Sequence, residues 1–298
     1  MPRTVTVGLD GSPESLAAAD WAAREAALRE LPLRLVHAWD WQPYAEPVSD
    51  GEPRRHWADR VLRAATDRLR RHHPDLEITS EQVREAPTTA LPAAAAEAEP
   101  LVIGSRGLSG IVGYLVGSVA LSVVGQVARP VVLVRSGAKA EDEHLPDPEG
   151  RPSTTTPYRD VVLGLDHEHP DDTVIEFAFE AAARRDTALR VVHGWSLPPY
   201  FAYGLAADPA LGGELAEQEK IAVAEALAPW RTKFPGVEVV EQTAIGSAGD
   251  HLVDAARDAS LVVVGRHIRR TPLGARIGPV THAVLHHAKA PVAVVPHE

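Results

Sequence analysis

The chain has no cysteine among its 298 residues, which excludes disulfides, thiolate metal centres and cysteine nucleophiles. That absence suits a reducing cytoplasm, the expected location. Aromatic residues make up only 5%, so alanine and branched aliphatics must supply most of any core. Nor is any part of the chain basic. The net charge is −2 over residues 1–137, −3 over 138–157 and −6 over 158–298. Broad attraction to nucleic acid or to an anionic membrane is therefore not expected. The N-terminus enters the strand-like run Val5–Leu9 without a signal-peptide core. One stretch of 22 residues, Gly107 to Ala128, has no charge. Gly110, Gly113, Gly117, Ser118, Ser122, Gly125 and Gln126 interrupt it, and its counterpart in the second half carries Arg276, His282, His286 and His287. Loop and helix explain it better than a membrane span.

Several enzyme signatures are missing as well. The sequence contains no G-x4-G-K-[ST] phosphate loop, no G-x-S-x-G nucleophile elbow and no H-E-x-x-H metal helix.

What the chain does contain is itself, twice. At a shift of 156 residues, Val5–Asp10 falls on Val161–Asp166 and Leu33–Trp39 on Leu189–Trp195. Between residues 4–44 and 160–200, 15 of 41 positions are identical. At a shift of 161, Leu101–Gly104 meets Val262–Gly265 and Arg129–Val134 meets Ala290–Val295. The change of shift puts a net insertion in the middle of the second copy. The repeats are expected at 1–137 and 158–298. Between them, 138–157 is rich in Pro, Gly, Thr and acidic residues and lacks apolar periodicity, which predicts a solvated tether.

Within the first copy, short apolar runs alternate with helical patterns. Val5–Leu9, Leu33–Ala38, Leu76–Val83, Leu101–Ile103 and Val131–Val134 read as strands, the first as one buried on both faces. Ser12-Pro13-Glu14 is a helix start: a cap, a proline at the first position, an acid at the positive end of the dipole. Further helices are expected around Trp57–Leu69, from Thr88 or Thr89, and over Ser118–Ala128. The pattern predicts two tandem α/β domains, each a five-stranded, mostly parallel sheet with helices on both faces. Ligands of such sheets collect beyond the carboxyl ends of the strands, where strand order reverses.

Beyond the fourth strand, Gly104-Ser105-Arg106-Gly107 is followed after nine residues by Gly117-Ser118. Glycines allow backbone N–H groups to approach an anion, and the first turn of the following helix favours phosphate oxygens. Arg106 could offset phosphate charge. This G-x2-G-x9-G-S pattern, set behind Asp10 at the end of strand one, resembles the ATP-binding form of the universal stress protein family. The resemblance covers nearly the whole chain as two copies and implies Rossmann-like domains of the adenine-nucleotide hydrolase type. It implies that Gly8 and Asp10 meet the nucleoside and that Ala38 meets adenine through its backbone. Ile103, Gly104, Arg106, Gly107, Gly117, Ser118 and Val119 would line ribose and phosphates, with ATP, free or with Mg, as the ligand. It also implies that Val131–Val134 and Val292–Val295 pair within the chain, with a further homodimer open.

The second copy departs from the motif. Gly265-Arg266-His267-Ile268 replaces G-x2-G, and Gly278-Pro279 replaces Gly-Ser. Ile268 is ill suited to positive φ, and Pro279 brings neither hydroxyl nor N–H. Asp166, Gly194, Gly265, Arg266 and Gly278 outline a weaker second site, and Arg269, Arg270 and Arg276 surround it. One nucleotide per chain is the expectation.

Plainer readings stand beside these. Asp10 could only cap a helix, Ser118 could be an ordinary first-turn residue, and Arg106 a solvated side chain. His37 and His193 read as packed strand histidines bonded to backbone rather than general bases. Trp39 and Trp195 read as core cover, and His282, His286 and His287 as exposed residues rather than metal ligands. No residue is assigned a catalytic or metal-binding role. The whole reads as a nucleotide-dependent regulator or sensor of stress; a slow ATPase or adenylyl-handling enzyme, and a scaffold indifferent to nucleotide, are the alternatives.

Overall fold

The computed structural model describes residues 3–39, 51–105, 116–196, 209–268 and 277–298; in the helices that start at Gly51 and Pro209, side chains are described from 56 and 212 onward. The chain divides into two compact units, Met1–Ala140 and Glu141–Glu298.

The first unit runs β1 (Thr4–Gly8), α1 (Pro13–Arg29), β2 (Leu33–Ala38), α2 (Gly51–His72), β3 (Ile78–Val83), α3 (Pro87–Ala95), β4 (Ala98–Ser105), α4 (Ser118–Gln126) and β5 (Val131–Arg135). The second runs β6 (Val161–Gly164), α5 (Asp172–Arg185), β7 (Leu189–Trp195), α6 (Pro209–Lys233), β8 (Val239–Ile245), α7 (Ala248–Ala255), β9 (Leu261–His267), α8 (Pro279–His287) and β10 (Val292–His297). Strand order is β3-β2-β1-β4-β5 in one unit and β8-β7-β6-β9-β10 in the other, with neighbours parallel. Chain direction across the sheet therefore reverses between β1 and β4, and again between β6 and β9, the switch points at which such sheets bind ligands.

The central strands explain their own position. Val5, Val7, Leu101 and Val102, like Val161, Val162, Leu163, Leu261, Val262 and Val263, are fully buried. Strands apolar on both faces can be covered only by helices on both sides, and each such residue stabilises the fold by about 1.5–3 kcal/mol. The covering helices begin as their sequences dictate. Ser12 caps α1, its hydroxyl accepting from Ser15 N at 3.2 Å, and Pro13 takes the first position. Asp171 caps α5 by accepting from Thr173 N and Val174 N. The matched residues Glu30 and Asp186 close these helices in the left-handed region, at φ 55° and 48°.

Five extra residues of the second repeat fall between its second and third strands: Leu33 pairs with Ile78, whereas Leu189 pairs with Val239. The segment between the repeats is more ordered than its composition predicts. Leu145 N donates to the Pro157 carbonyl and Arg159 N to the Glu143 carbonyl, at 2.9 Å each, with a bridge between His144 and Tyr158. Asp147 closes the turn, accepting from Glu149 N and Arg151 N. The expected tether is a small folded arm of the second unit, held by side chain-to-backbone bonds that leave no apolar period to read. No helix among the described residues is long and apolar enough to cross a membrane; of the run Gly107 to Ala128, residues 107–115 lie outside the description.

Candidate functional site

In the first unit the carboxyl end of β1 is tied down by short-range bonds. Leu9 N continues the ladder to the Val36 carbonyl at 2.8 Å. The exposed Asp10 then accepts at Oδ1 from Ser12 N at 2.9 Å and from the Ser12 hydroxyl at 2.5 Å, and its own N–H donates to the Ser15 hydroxyl. Asp10 thus orients the residue that caps α1, and does so beside the switch point. Between them Gly11 sits at φ +78°, where a Cβ would also press on Val61 and Trp57. Ala38, on the neighbouring strand, is half-buried at the end of β2, in register with Val83.

The motif glycines have different reasons to be glycine. Gly104 is not in the left-handed region; a Cβ there would lie 2.6 Å from the Glu14 carbonyl carbon and 2.8 Å from Ser15 N. Its missing side chain lets β4 touch the backbone of α1, so the conformational freedom expected for it is not what it uses. Among the described residues no atom lies within 4 Å of the would-be Cβ of Gly117, which adopts extended backbone before α4. Gly117 brings no side chain to cap α4. The first N–H groups, of Ser118 and Val119, stand at the positive end of the helix. Ile103 is buried and Val119 half-buried, while Ser118 is exposed. Arg106 and Gly107 lie outside the described residues.

The second unit carries a cleft of about 770 Å³ in the corresponding place. Its walls include Asp166, Gly194, Gly265 and Gly278, four of the five residues outlined from sequence. Arg266 does not join them: it is buried, opposite Pro296 in the ladder. The alternation of the strand sends Arg266 to the sheet face away from the cleft and leaves Gly265 and His267 to line it. Gly278 repeats the open geometry of Gly117, again before a helix without a side-chain cap, but Pro279 occupies the first position. One N–H donor is lost there. Arg269, Arg270 and Arg276 lie outside the described residues. Asp166 accepts from Glu168 N at 3.1 Å and faces His169 at 3.5 Å.

The paired strand histidines are bonded to backbone, as their pattern predicts. His37 Nδ1 meets the Leu9 carbonyl at 2.7 Å, and His193 Nδ1 the Leu165 carbonyl at 3.0 Å. Since a carbonyl only accepts, each Nδ1 carries the proton and each Nε2 is left to face other groups. Their surroundings then diverge. His37 meets the edge of Trp57, with ring centroids 5.6 Å apart. His193 Nε2 lies 3.2 Å from Glu219 Oε2, and His167 Nε2 lies 2.5 Å from that same oxygen. Sequence reading missed this cluster because its members are separated by 26 and 52 positions. The available signal was an acid on the inward face of a helix. Trp195 is buried at the cleft edge, consistent with core cover. His282 and His286 stack at 4.3 Å on α8.

Comparison with known proteins fits this geometry. The model of the universal stress protein family matches residues 1–135 and 157–296. A universal stress protein of Mycobacterium tuberculosis is 33% identical over 300 residues, spanning 97% of this chain and 96% of that protein. One from Mycolicibacterium smegmatis is 31% identical over 304 residues, spanning 98% and 96%. Among solved structures, a universal stress protein from Archaeoglobus fulgidus superposes with a TM-score of 0.65 over 99% of this chain and 98% of that one; at 14% identity, the likeness is one of fold.

Proposed function

The chain belongs to the universal stress protein family, and from that premise we propose that its first repeat binds ATP, free or with Mg, and that occupancy of this site makes the protein a cytoplasmic regulator of stress response. The observation that carries the reading is that Asp10 follows β1 and α4 follows β4, the two strands that flank the switch point. A helix N-terminus with its positive dipole end favours phosphate oxygens, and Gly117 sets no side chain in the way. The acceptor needed for a ribose hydroxyl is Asp10, held in place by Ser12. Ala38 offers backbone to adenine at the end of the adjacent strand. Gly8, Ile103, Gly104, Arg106, Gly107, Ser118 and Val119 complete the site in this reading.

The second repeat keeps the cleft and Asp166 but loses a donor at Pro279, so its affinity for a triphosphate is the lower of the two. Regulation follows from linkage. A ligand at a hundredfold excess over its Kd stabilises the binding form by about 2.7 kcal/mol. Mass spectrometry of small molecules released from freshly purified protein tests the ligand class. An adenine nucleotide near one per chain is expected; nucleotide-free protein that also fails to take up added Mg-ATP would refute the assignment.

A further inference from the structure

Where the first repeat has a packed corner with one histidine, the second adds two further ligand-type side chains. At the shift of 156, Gly11 and His37 become His167 and His193. The inner face of α2, with Ala58, Leu62 and Leu69 buried, maps at a shift of 161 onto Glu219, Val223 and Trp230 of α6. Glu219 thus holds the position of a fully buried alanine and points an acid inward. The side chains of His167, His193 and Glu219 are 14%, 9% and 25% exposed. Their ligand atoms all lie within 4.8 Å of one another, and all three residues line the 770 Å³ cleft.

The tautomer of His193 sharpens the question of what this corner holds. With its Nδ1 proton given to the Leu165 carbonyl, a neutral His193 aims a lone pair at a carboxylate oxygen. Two imidazole nitrogens converge on that one oxygen, at 2.5 and 3.2 Å. Something positive must lie between a His193 set this way and the carboxylate. A proton can serve, with a neutral His167 donating from Nε2 while His193 carries an imidazolium charge in a mostly buried corner. A divalent cation serves with both imidazoles neutral. The backbone bond of His193 is also the outer contact that metal-ligating histidines usually make.

The geometry points to a site for a divalent transition-metal ion of the zinc class, bound by His167 Nε2, His193 Nε2 and the Glu219 carboxylate. Two imidazoles and one carboxylate suit zinc, with a fourth position open towards the cleft. At metal–ligand distances of roughly 2.0–2.2 Å, tetrahedral ligands lie about 3.3 Å apart. The His193–Glu219 spacing already matches, and the His167–Glu219 pair opens by somewhat less than about 1 Å. The inference is independent of nucleotide binding in the first repeat.

The test uses the untagged full chain, stripped with a chelator and titrated with Co²⁺, whose visible ligand-field band reports tetrahedral nitrogen–oxygen ligation; Zn²⁺ is then added in competition. The wild type is expected to bind about one equivalent of Co²⁺ and to lose the band to Zn²⁺. Glu219→Gln and His167→Gly are each expected to weaken binding at least about a hundredfold, with circular dichroism and melting temperature confirming the fold. His167→Gly carries the residue that the first repeat uses at this place. The double variants His282→Gln/His286→Gln and Glu168→Gln/His169→Gln are expected to keep the band. A wild type without a band, a band that survives Glu219→Gln or His167→Gly, or a band lost in either double variant would overturn the assignment.

Discussion

Two glycines of one motif, read alike in one dimension, answer to different forces. At Gly104 a Cβ would enter the backbone of α1, 2.6 Å from the Glu14 carbonyl carbon. Neither partner can rotate away, so Gly104→Ala is expected to destabilise the protein by about 1–3 kcal/mol, a loss measurable by urea denaturation. At Gly117 a side chain meets open space, and the position is the N-cap of α4. Gly117→Ala is accordingly expected to leave stability within about 1 kcal/mol of wild type. Spacing alone flagged both residues because it registers where glycine recurs and not what surrounds it. The fate of Arg266 has a similar cause: its sequence neighbourhood is cationic, but strand alternation decides which face receives the side chain. His167, His193 and Glu219 were illegible as a group for want of the α6 register that brings them together.

Among the elements, the central strands were readable because their environment imposes a simple composition: buried on both faces, they are mainly valine and leucine, with the buried Thr6 of β1 an exception. Helix starts were readable where a side chain caps them, as at Ser12. The arm between the repeats was not, since Asp147 and the surrounding backbone bonds fold it without apolar burial. Helix ends offer a quantitative check. Glu30 and Asp186 stand in the left-handed region, which costs a residue with a Cβ about 1–2 kcal/mol, only part of which glycine's greater unfolded freedom offsets. Glu30→Gly and Asp186→Gly are each expected to stabilise the chain by roughly 0.5–1 kcal/mol, read from denaturant midpoints at unchanged slope.

The end of α2 adds a pH dependence. Burial, joined by the charges of Arg24 and His72 and opposed by Asp20, holds His73 below its ordinary value of 6.5. The unfolded chain therefore takes up this proton first. The neutral imidazole's contribution is fully present above the unfolded value and is lost as pH falls below it. His73→Gln is expected to flatten the decline in melting temperature between about pH 7 and pH 5. An unchanged decline would place its origin in other groups.

For the molecule as a whole, duplication has produced two switch points from one plan and let them diverge. The first repeat keeps an uncapped helix start behind Gly117. The second places proline at that start and gathers two histidines and a glutamate in the same cleft. On the two proposals made above, one chain offers two kinds of ligand chemistry at equivalent switch points, a division that a symmetric pair of identical repeats could not make. The division was partly legible: the lost donor at Pro279 is visible in sequence, the gained cluster only in the fold.

Isothermal calorimetry with Mg-ATP on three forms of the chain measures that division directly: wild type, Gly117→Asp and Gly278→Asp. Aspartate is a good N-cap and both positions have room for it, so each variant keeps or gains helix stability while placing a carboxylate where phosphate would sit. One high-affinity site is expected in the wild type, none in Gly117→Asp and one in Gly278→Asp. Wild-type heat that persists undiminished in Gly117→Asp, or no heat of binding in any form, would contradict an ATP site built on the start of α4.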